Sequence, residues 1–113
     1  MATTVRTTYP DENVIQLDWI NLLNAESGDA AQAARYPTKA VQAVGTFGAG
    51  GSVAIEGSND GVNWFALRDS LGVVIALTAA APIKDVLENT RHLRARVTAG
   101  DGTTALRVIL IGV

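Results

Sequence analysis

Apolar and polar residues alternate along much of the chain, in short runs that are separated by turn-forming residues. Ile15, Leu17 and Trp19 fall on one side of an extended segment, whereas Gln16 and Asp18 fall on the other. Because successive side chains of a β-strand point to opposite faces, this spacing predicts a strand with one buried face.

The same alternation predicts further strands, each with one apolar face. Their ranges are residues 39–47, 52–57, 63–68, 73–78, 92–98 and 106–111. Asp60 and Gly61 are expected to close a hairpin, because an Asp-Gly pair supplies the positive φ values that tight hairpin turns need. Trp64 is expected to pack into the core beside that hairpin. Residues 79–90 leave two alternatives open, an edge strand or one helical turn around residues 84–87.

The last two strands are predicted to pair with each other across the turn at residues 99–102. One face of this hairpin is apolar and the other is mixed. Arg94 or Arg96 would then lie beside Arg107 across the two strands.

Two segments lack a clear period. Residues 1–12 are polar and rich in Thr, which predicts an arm that is disordered or is ordered by a partner. Residues 24–37 contain alanines that favour one or two helical turns, but Gly28 and Pro37 limit any helix, so a plain loop is an equal alternative. Short strands with frequent turns describe an antiparallel β-sandwich or barrel. We therefore expect an all-β protein with an extended N-terminal arm (1–12) and a single β-sandwich domain (13–113).

The composition restricts the chemistry that the chain can perform. It has 113 residues, no Cys and one His, which excludes disulfides, thiolate metal sites and His-rich metal sites. A net charge of -2 argues against bulk nucleic-acid binding. No apolar run is long enough for a membrane span, and the first residues lack the apolar core of a secretory signal. No motif places a nucleophile near His92, so we expect no enzyme, no cofactor, no metal and no small-molecule substrate.

The basic residues are distributed unevenly along the chain. Residues 89–113 contain Arg91, Arg94, Arg96 and Arg107 but a single acid, Asp101. Guanidinium groups pair well with carboxylates, so Arg94, Arg96 and Arg107 are a candidate patch for recognising an acidic partner. The alternative is an ordinary solvated sheet face whose acids come from neighbouring strands.

Ile109 and Ile111 fall on the same face of the last strand as Arg107. Either the N-terminal segment covers them or a partner protein contacts them, because exposed apolar patches are usually avoided.

Two other features have simpler structural explanations. The glycines of residues 48–51 precede a predicted strand, whereas a phosphate-binding loop precedes a helix, so we expect a hairpin loop. Asp60 and Asp101 carry oxygen atoms that calcium accepts, but they occur outside any calcium-loop pattern and are explained by turn formation.

Two segments resemble a pattern of small structural proteins of tailed bacteriophages. They are GTFGAGGSVAIEGSNDGVNWFAL at residues 45–67 and RHLRARVTAGDGTTALRVILIGV at residues 91–113. In this pattern a strand ending in Arg-x-Arg is followed by a Gly-Asp-Gly-Thr turn and a closing aliphatic strand. The chain is thereby similar to phage capsid cement (decoration) proteins, which have a jelly-roll or β-sandwich fold.

The resemblance implies a role in the virion, on the outer surface of the capsid, after synthesis in the host cytoplasm. The implied partners are the major capsid protein and further copies of this chain, in a dimer or trimer. Another virion location, in the tail or neck, remains an alternative. The residues that we expect to contact partners are Thr3, Thr4, Arg6, Tyr9, Tyr36, Arg94, Arg96, Arg107, Ile109 and Ile111.

A second likeness overlaps the first. SNDGVNWFAL followed by RHLRARV is similar to the rhythm of discoidin-type jelly rolls, which bind sugars or lipids through loops at one end. This similarity keeps a carbohydrate-binding module as a further alternative, although the chain has few aromatic residues for stacking on a sugar.

Overall fold

The computed structural model describes residues 3–113, and every regular element in this range is a β-strand. Met1 and Ala2, which belong to the predicted arm, lie outside the described residues. The strands are β1 (Val5–Thr8), β2 (Ile15–Leu23), β3 (Lys39–Thr46), β4 (Ser52–Ser58), β5 (Phe65–Ala66), β6 (Ile83–Val86), β7 (His92–Ala99) and β8 (Ala105–Gly112).

The strands form two antiparallel sheets that pack face to face, so the prediction of an all-β sandwich is confirmed. The larger sheet has the order β1-β2-β8-β3-β6, and the smaller has the order β5-β4-β7. Strand β8 shows why the sheets pack this way, since Leu106, Val108 and Leu110 are buried while Arg107 and Ile109 lie on the opposite side. The inward residues of both sheets make one core, whose largest members are Leu17, Trp19, Leu22, Ile55, Ile75, Leu77, Leu93, Leu106 and Leu110.

The predicted hairpin between the last two strands is wrong. Strand β7 lies in the smaller sheet and β8 in the larger, so residues 100–104 carry the chain across the sandwich. The same is true of residues 47–51, which join β3 to β4 and were expected to form a hairpin loop. An alternating pattern shows that one face of a strand is buried, and two strands that face each other across a core satisfy it as well as two neighbours in a sheet.

The N-terminal segment differs from the expected free arm, because β1 pairs with β2 along its whole length. Val5 packs against the core, and Thr3 accepts a hydrogen bond from Asp29 N through its carbonyl (2.7 Å). An isolated four-residue polar strand has little propensity of its own, so the pairing depends on the edge that β2 offers.

Residues 24–37 contain no helix and run beside β7 as an irregular strand. Backbone hydrogen bonds join Gly28 N to Ala95 O (2.7 Å) and Ala31 N to Leu93 O (2.8 Å). The buried indole of Trp19 donates to Asp29 O (2.9 Å). A Cβ on Gly28 would lie 2.2 Å from the Trp19 ring, so glycine is needed for the backbone to lie across this side chain.

The middle of the chain is less regular than predicted. Only Phe65 and Ala66 of the segment 63–68 form a strand, and residues 73–78 make isolated bridges in which Ile75 and Leu77 are buried but Val73 is exposed. For residues 79–90 the edge-strand alternative is confirmed, since β6 is the outermost strand of the larger sheet.

Among residues 3–113 the structure has no helix of the length and apolarity that crossing a membrane requires.

Candidate interaction surfaces

The outer face of the larger sheet, which we call the broad face, presents apolar residues among polar ones. Residues paired across neighbouring strands share a face, and the register places Ile111 beside Ala40 and Ile109 beside Gln42. Ile83 of β6 and Val44 of β3 continue this apolar area and are 57% and 38% exposed. The segment β1 lies beyond β2 and does not cover this area, but Ile109 and Ile111 are themselves partly buried between the neighbouring strands. The chain therefore shields part of each side chain, and the rest is open to a partner.

Three charged side chains of the broad face neutralise one another, whereas Asp85 of β6 is exposed on the same face and forms no salt bridge among residues 3–113. Asp18 is completely buried, and Arg107 donates to its Oδ1 through Nε (3.0 Å). Arg107 Nη2 lies 2.8 Å from the same oxygen and completes the salt bridge. Arg6 of β1 approaches the other carboxylate oxygen at 4.0 Å, and Gln16 donates to it at 2.9 Å. Both oxygens of the Asp18 carboxylate therefore have partners, and Arg6 and Arg107 are paired with an acid of their own chain.

Arg94 and Arg96 lie on the opposite side of the molecule, on the outer face of the smaller sheet. Glu56 of β4 pairs with both, at 2.8 Å from Arg94 Nε and 3.5 Å from Arg96 Nη1. The prediction that Arg94 or Arg96 lies near Arg107 is therefore wrong, because β7 and β8 belong to different sheets. The alternative of a sheet face whose acids come from neighbouring strands describes both groups of arginines.

Trp64 is partly exposed and does not lie in the core as predicted. The guanidinium carbon of Arg94 lies 4.2 Å from the centre of its ring, a cation–π contact. Its neighbour Phe65 is 70% exposed. Neither aromatic side chain is therefore part of the core, although Phe65 belongs to β5 and Trp64 directly precedes it.

Asp101 ties together the two loops that cross between the sheets. Its carboxylate accepts hydrogen bonds from Thr103 and from the backbone N–H of Ala49 (2.8 Å), while the Thr104 hydroxyl donates to Phe47 O (2.7 Å). These bonds, that of the Thr103 hydroxyl first, lower the pKa of Asp101 to about 2. Asp101 therefore holds together the two loops that connect the sheets, which agrees with its interpretation as a turn-forming residue.

A cavity of about 440 Å³ lies beside the turn that follows β4. Phe65 and Asn63 line it, together with Asp60 and Asn59. Asp60 accepts hydrogen bonds from the backbone of Asn63 and Val62 and from the Asn63 and Ser58 side chains, which hold its pKa well below the usual range. The described residues contain no group of three or more His, Asp or Glu side chains arranged to hold a metal ion.

A second cavity, of about 370 Å³, lies between the end of β1 and the turn that precedes β3; we call it the tyrosine cleft. Its walls include both tyrosines of the chain, Tyr9 and Tyr36, which the sequence indicated as contact residues. Arg35 and Arg91 line the same cavity, and Ile15 contributes to its apolar surface.

The structure therefore separates the predicted contact residues into distinct places. Ile109, Ile111, Arg107 and Arg6 share the broad face, and Tyr9 and Tyr36 share the tyrosine cleft. Thr3 is held by backbone bonds to the segment 27–29, and Thr4 beside it is exposed. Sequence reasoning missed Arg35, although its position directly before Tyr36 was a usable signal.

Sequence reasoning also missed the contributions of Val44 and Ile83 to the broad face, because the pattern of a strand does not show which strands lie beside it.

Comparison of the chain with known protein families and with curated proteins finds no match.

Proposed function

We propose that this chain is a virion structural protein, a capsid cement (decoration) protein that binds the outer capsid surface and stabilises contacts between major capsid protein subunits. The observation that carries the proposal is the broad face, on which the exposed apolar residues of β3 and β6 adjoin Ile109 and Ile111 and the buried Asp18 carboxylate is neutralised within the chain. Its apolar part gains about 25 cal/mol for each Å² of surface that a partner removes from water.

The physical role is mechanical. A packaged genome strains the shell, and surface buried across the joints between capsid subunits raises the cost of separating them. Many copies act together, so a modest contact repeated over the shell gives firm attachment. Assembly of the chain into dimers or trimers on the shell would add further contacts of the same kind.

The strand order supports the assignment of the sandwich to the jelly rolls. If the bridged segment 27–31 is counted beside β7, the two sheets read β2-β8-β3-β6 and 27–31-β7-β4-β5. From β2 onward, successive segments then alternate between the sheets as two Greek keys require, except that β4 and β5 share a sheet, and β1 is an additional edge strand beside β2. Jelly rolls build both viral capsid and lectin domains, so the fold favours no single function among these.

Phage particles that lack the protein test the proposal directly. We expect fragile heads that carry normal tails, and recovery of their resistance to heat when the purified chain is added back. Electron microscopy and head survival after warming are the measurements. Intact heads without tails would instead assign the chain to the tail or neck.

Substitutions on the broad face locate the contact. The double variant Ile83→Glu with Ile109→Glu is expected to reduce occupancy on heads by about ten-fold or more, because two charges are then desolvated at the contact. The double variant Val62→Glu with Leu71→Glu is the matched control, since Val62 and Leu71 are exposed loop residues outside this face. Equal occupancy of the two double variants would contradict a contact through the broad face.

Carbohydrate binding is the second candidate, and the cavity beside Phe65 favours it. An exposed aromatic ring next to the amides of Asn59 and Asn63 offers a stacking surface and hydrogen-bond donors. Glycan-array binding that disappears in Phe65→Ala and persists in Val62→Ala would support this function. Absence of binding by the wild-type chain would exclude it.

A further inference from the structure

Two arginines that line the tyrosine cleft, Arg35 and Arg91, have no acidic partner among residues 3–113. Arg6, Arg68, Arg94, Arg96 and Arg107 each form a salt bridge with a carboxylate of residues 3–113, whereas Arg35 and Arg91 form none. Both line one cavity, so two positive charges that the chain leaves uncompensated lie at the same place. In a chain with a net charge of -2, this concentration is not explained by an excess of basic residues.

Hydrogen bonds hold in place the turn that forms one wall of the cleft. Asn89 donates to Ala34 O (2.9 Å), and the turn closes with a bond from Tyr36 N to Ala33 O (2.9 Å). The ammonium group of Lys39, a residue that is only 3% exposed, donates to the Asn89 side chain. Like Arg35 and Arg91, Lys39 forms no salt bridge with a carboxylate in residues 3–113. Through its hydrogen bond to Asn89, this third cation supports the turn that carries Arg35.

The chemistry of the walls selects the kind of ligand. Guanidinium groups bind carboxylates through paired hydrogen bonds, and the tyrosine rings and Ile15 add apolar contact beside them. A cavity of about 370 Å³ has room for a side chain and the adjoining backbone of an extended peptide. From this geometry we infer that the tyrosine cleft binds a peptide segment of a partner protein through an Asp or Glu carboxylate, which Arg35 and Arg91 receive between Tyr9 and Tyr36.

This inference is independent of the broad face, and it holds whether or not the partner is a capsid subunit. It is tested with the purified full chain, so loss of head binding by the broad-face variants does not affect its outcome. Pentapeptides with a central Glu among Gly, Ser and Leu are the probes, and the same peptides with a central Gln are their neutral equivalents.

Titration of the ¹⁵N-labelled chain by nuclear magnetic resonance gives the readout, through backbone signals around the cleft and the Nε signals of arginine. We expect saturable shifts confined to the cleft with the Glu peptides, and binding about ten-fold weaker with the Gln peptides. Inorganic phosphate serves as a separate arm. Tighter binding of phosphate than of every Glu peptide would overturn the inference of a peptide ligand.

Single variants assign the binding to the two arginines. Arg35→Gln and Arg91→Gln are each expected to weaken binding of the Glu peptides by about ten-fold. Arg96→Gln removes the same charge from the outer face of the smaller sheet, and we expect it to leave the affinity unchanged. Equal losses in all three variants, or no saturable shift with any Glu peptide, would overturn the proposal.

Discussion

Asp18 is the residue whose environment depends most on the rest of the molecule. Its position in an alternating segment predicts an outward side chain, and the side chain does lie on the outer face of its sheet, yet it is completely buried. Arg107 from β8 and Arg6 from β1 cover it. A carboxylate can remain buried in this way only because each oxygen keeps a charged or polar partner.

Removal of Arg107 should therefore be costly. Arg107→Gln leaves the Asp18 carboxylate with one distant guanidinium, and we expect it to lower the free energy of unfolding by about 2–3 kcal/mol. Arg96→Gln is the control, because Arg96 is half exposed and pairs loosely with Glu56, and it should cost less than about 1 kcal/mol. Denaturation in guanidinium chloride measures both values, and similar losses would contradict the special role of Asp18.

At the scale of elements, the two crossing loops are joined by side-chain hydrogen bonds rather than by strand pairing. Asp101 makes the joint by accepting from Ala49 and Thr103, and Thr104 completes it through Phe47 O. This explains why residues 99–104 have the composition of a tight hairpin turn without forming one. In this chain the turn-forming residues carry the backbone from the smaller sheet to the larger one.

The joint predicts a pH dependence of stability. The pKa of Asp101 is about 2 in the folded chain against an ordinary value of 3.8, so its ionised form favours the folded state. This contribution is complete above the unfolded-state pKa and is lost as the pH falls from about 4 towards 2. We expect the difference in stability between the wild type and Asp101→Asn to shrink over this range. Thermal unfolding at each pH provides the measurement, and a difference that stays constant over this range would contradict the role of the ionised Asp101.

Strand β1 is the other element whose role emerges from the structure. Removal of residues 1–8 exposes the edge of β2 and the apolar contact of Val5, so we expect a loss of about 2 kcal/mol in the free energy of unfolding with the fold retained. A chain that lacks only residues 1–2 keeps every β1–β2 pair and is the control. Urea denaturation compares the two, and equal midpoints would show that β1 adds nothing to stability.

At the scale of the whole molecule, both sheets contribute to a single core. Trp19 and Leu22 of β2 and Leu93 and Val97 of β7 belong to the same cluster of buried residues. Neither sheet can bury its inner face without the other, so the sandwich is expected to unfold as one cooperative unit.

Calorimetry tests this cooperativity. For 113 residues we expect one transition with an unfolding enthalpy of about 80 kcal/mol near 60 °C, equal to the van't Hoff value. The outcome that contradicts a shared core is two resolved transitions, or a calorimetric enthalpy well above the van't Hoff enthalpy.

The alternation of apolar residues was sufficient to predict the strand class, most strand positions and the inward residues of β2, β3, β4, β7 and β8. It also placed Ile109, Ile111 and Arg107 on one face. These properties follow from the period of the side chains along a single strand, which is a local quantity. The turn at Asp60 and Gly61 was predictable in part for the same reason, since Gly61 does have a positive φ of 77°. Asp60 does not share it, and residues 59–64 join β4 to β5 as a longer loop than the tight turn that was expected.

The assignment of strands to sheets was decided by the tertiary structure. Strand β7 and strand β8 have equally good patterns for pairing with each other, yet they belong to different sheets, which separates Arg94 and Arg96 from Arg107. The tyrosine cleft likewise joins Tyr9, Tyr36 and Arg91 from distant parts of the chain. Such groupings arise from non-local packing, and a hydrophobic period contains no information about which buried faces meet.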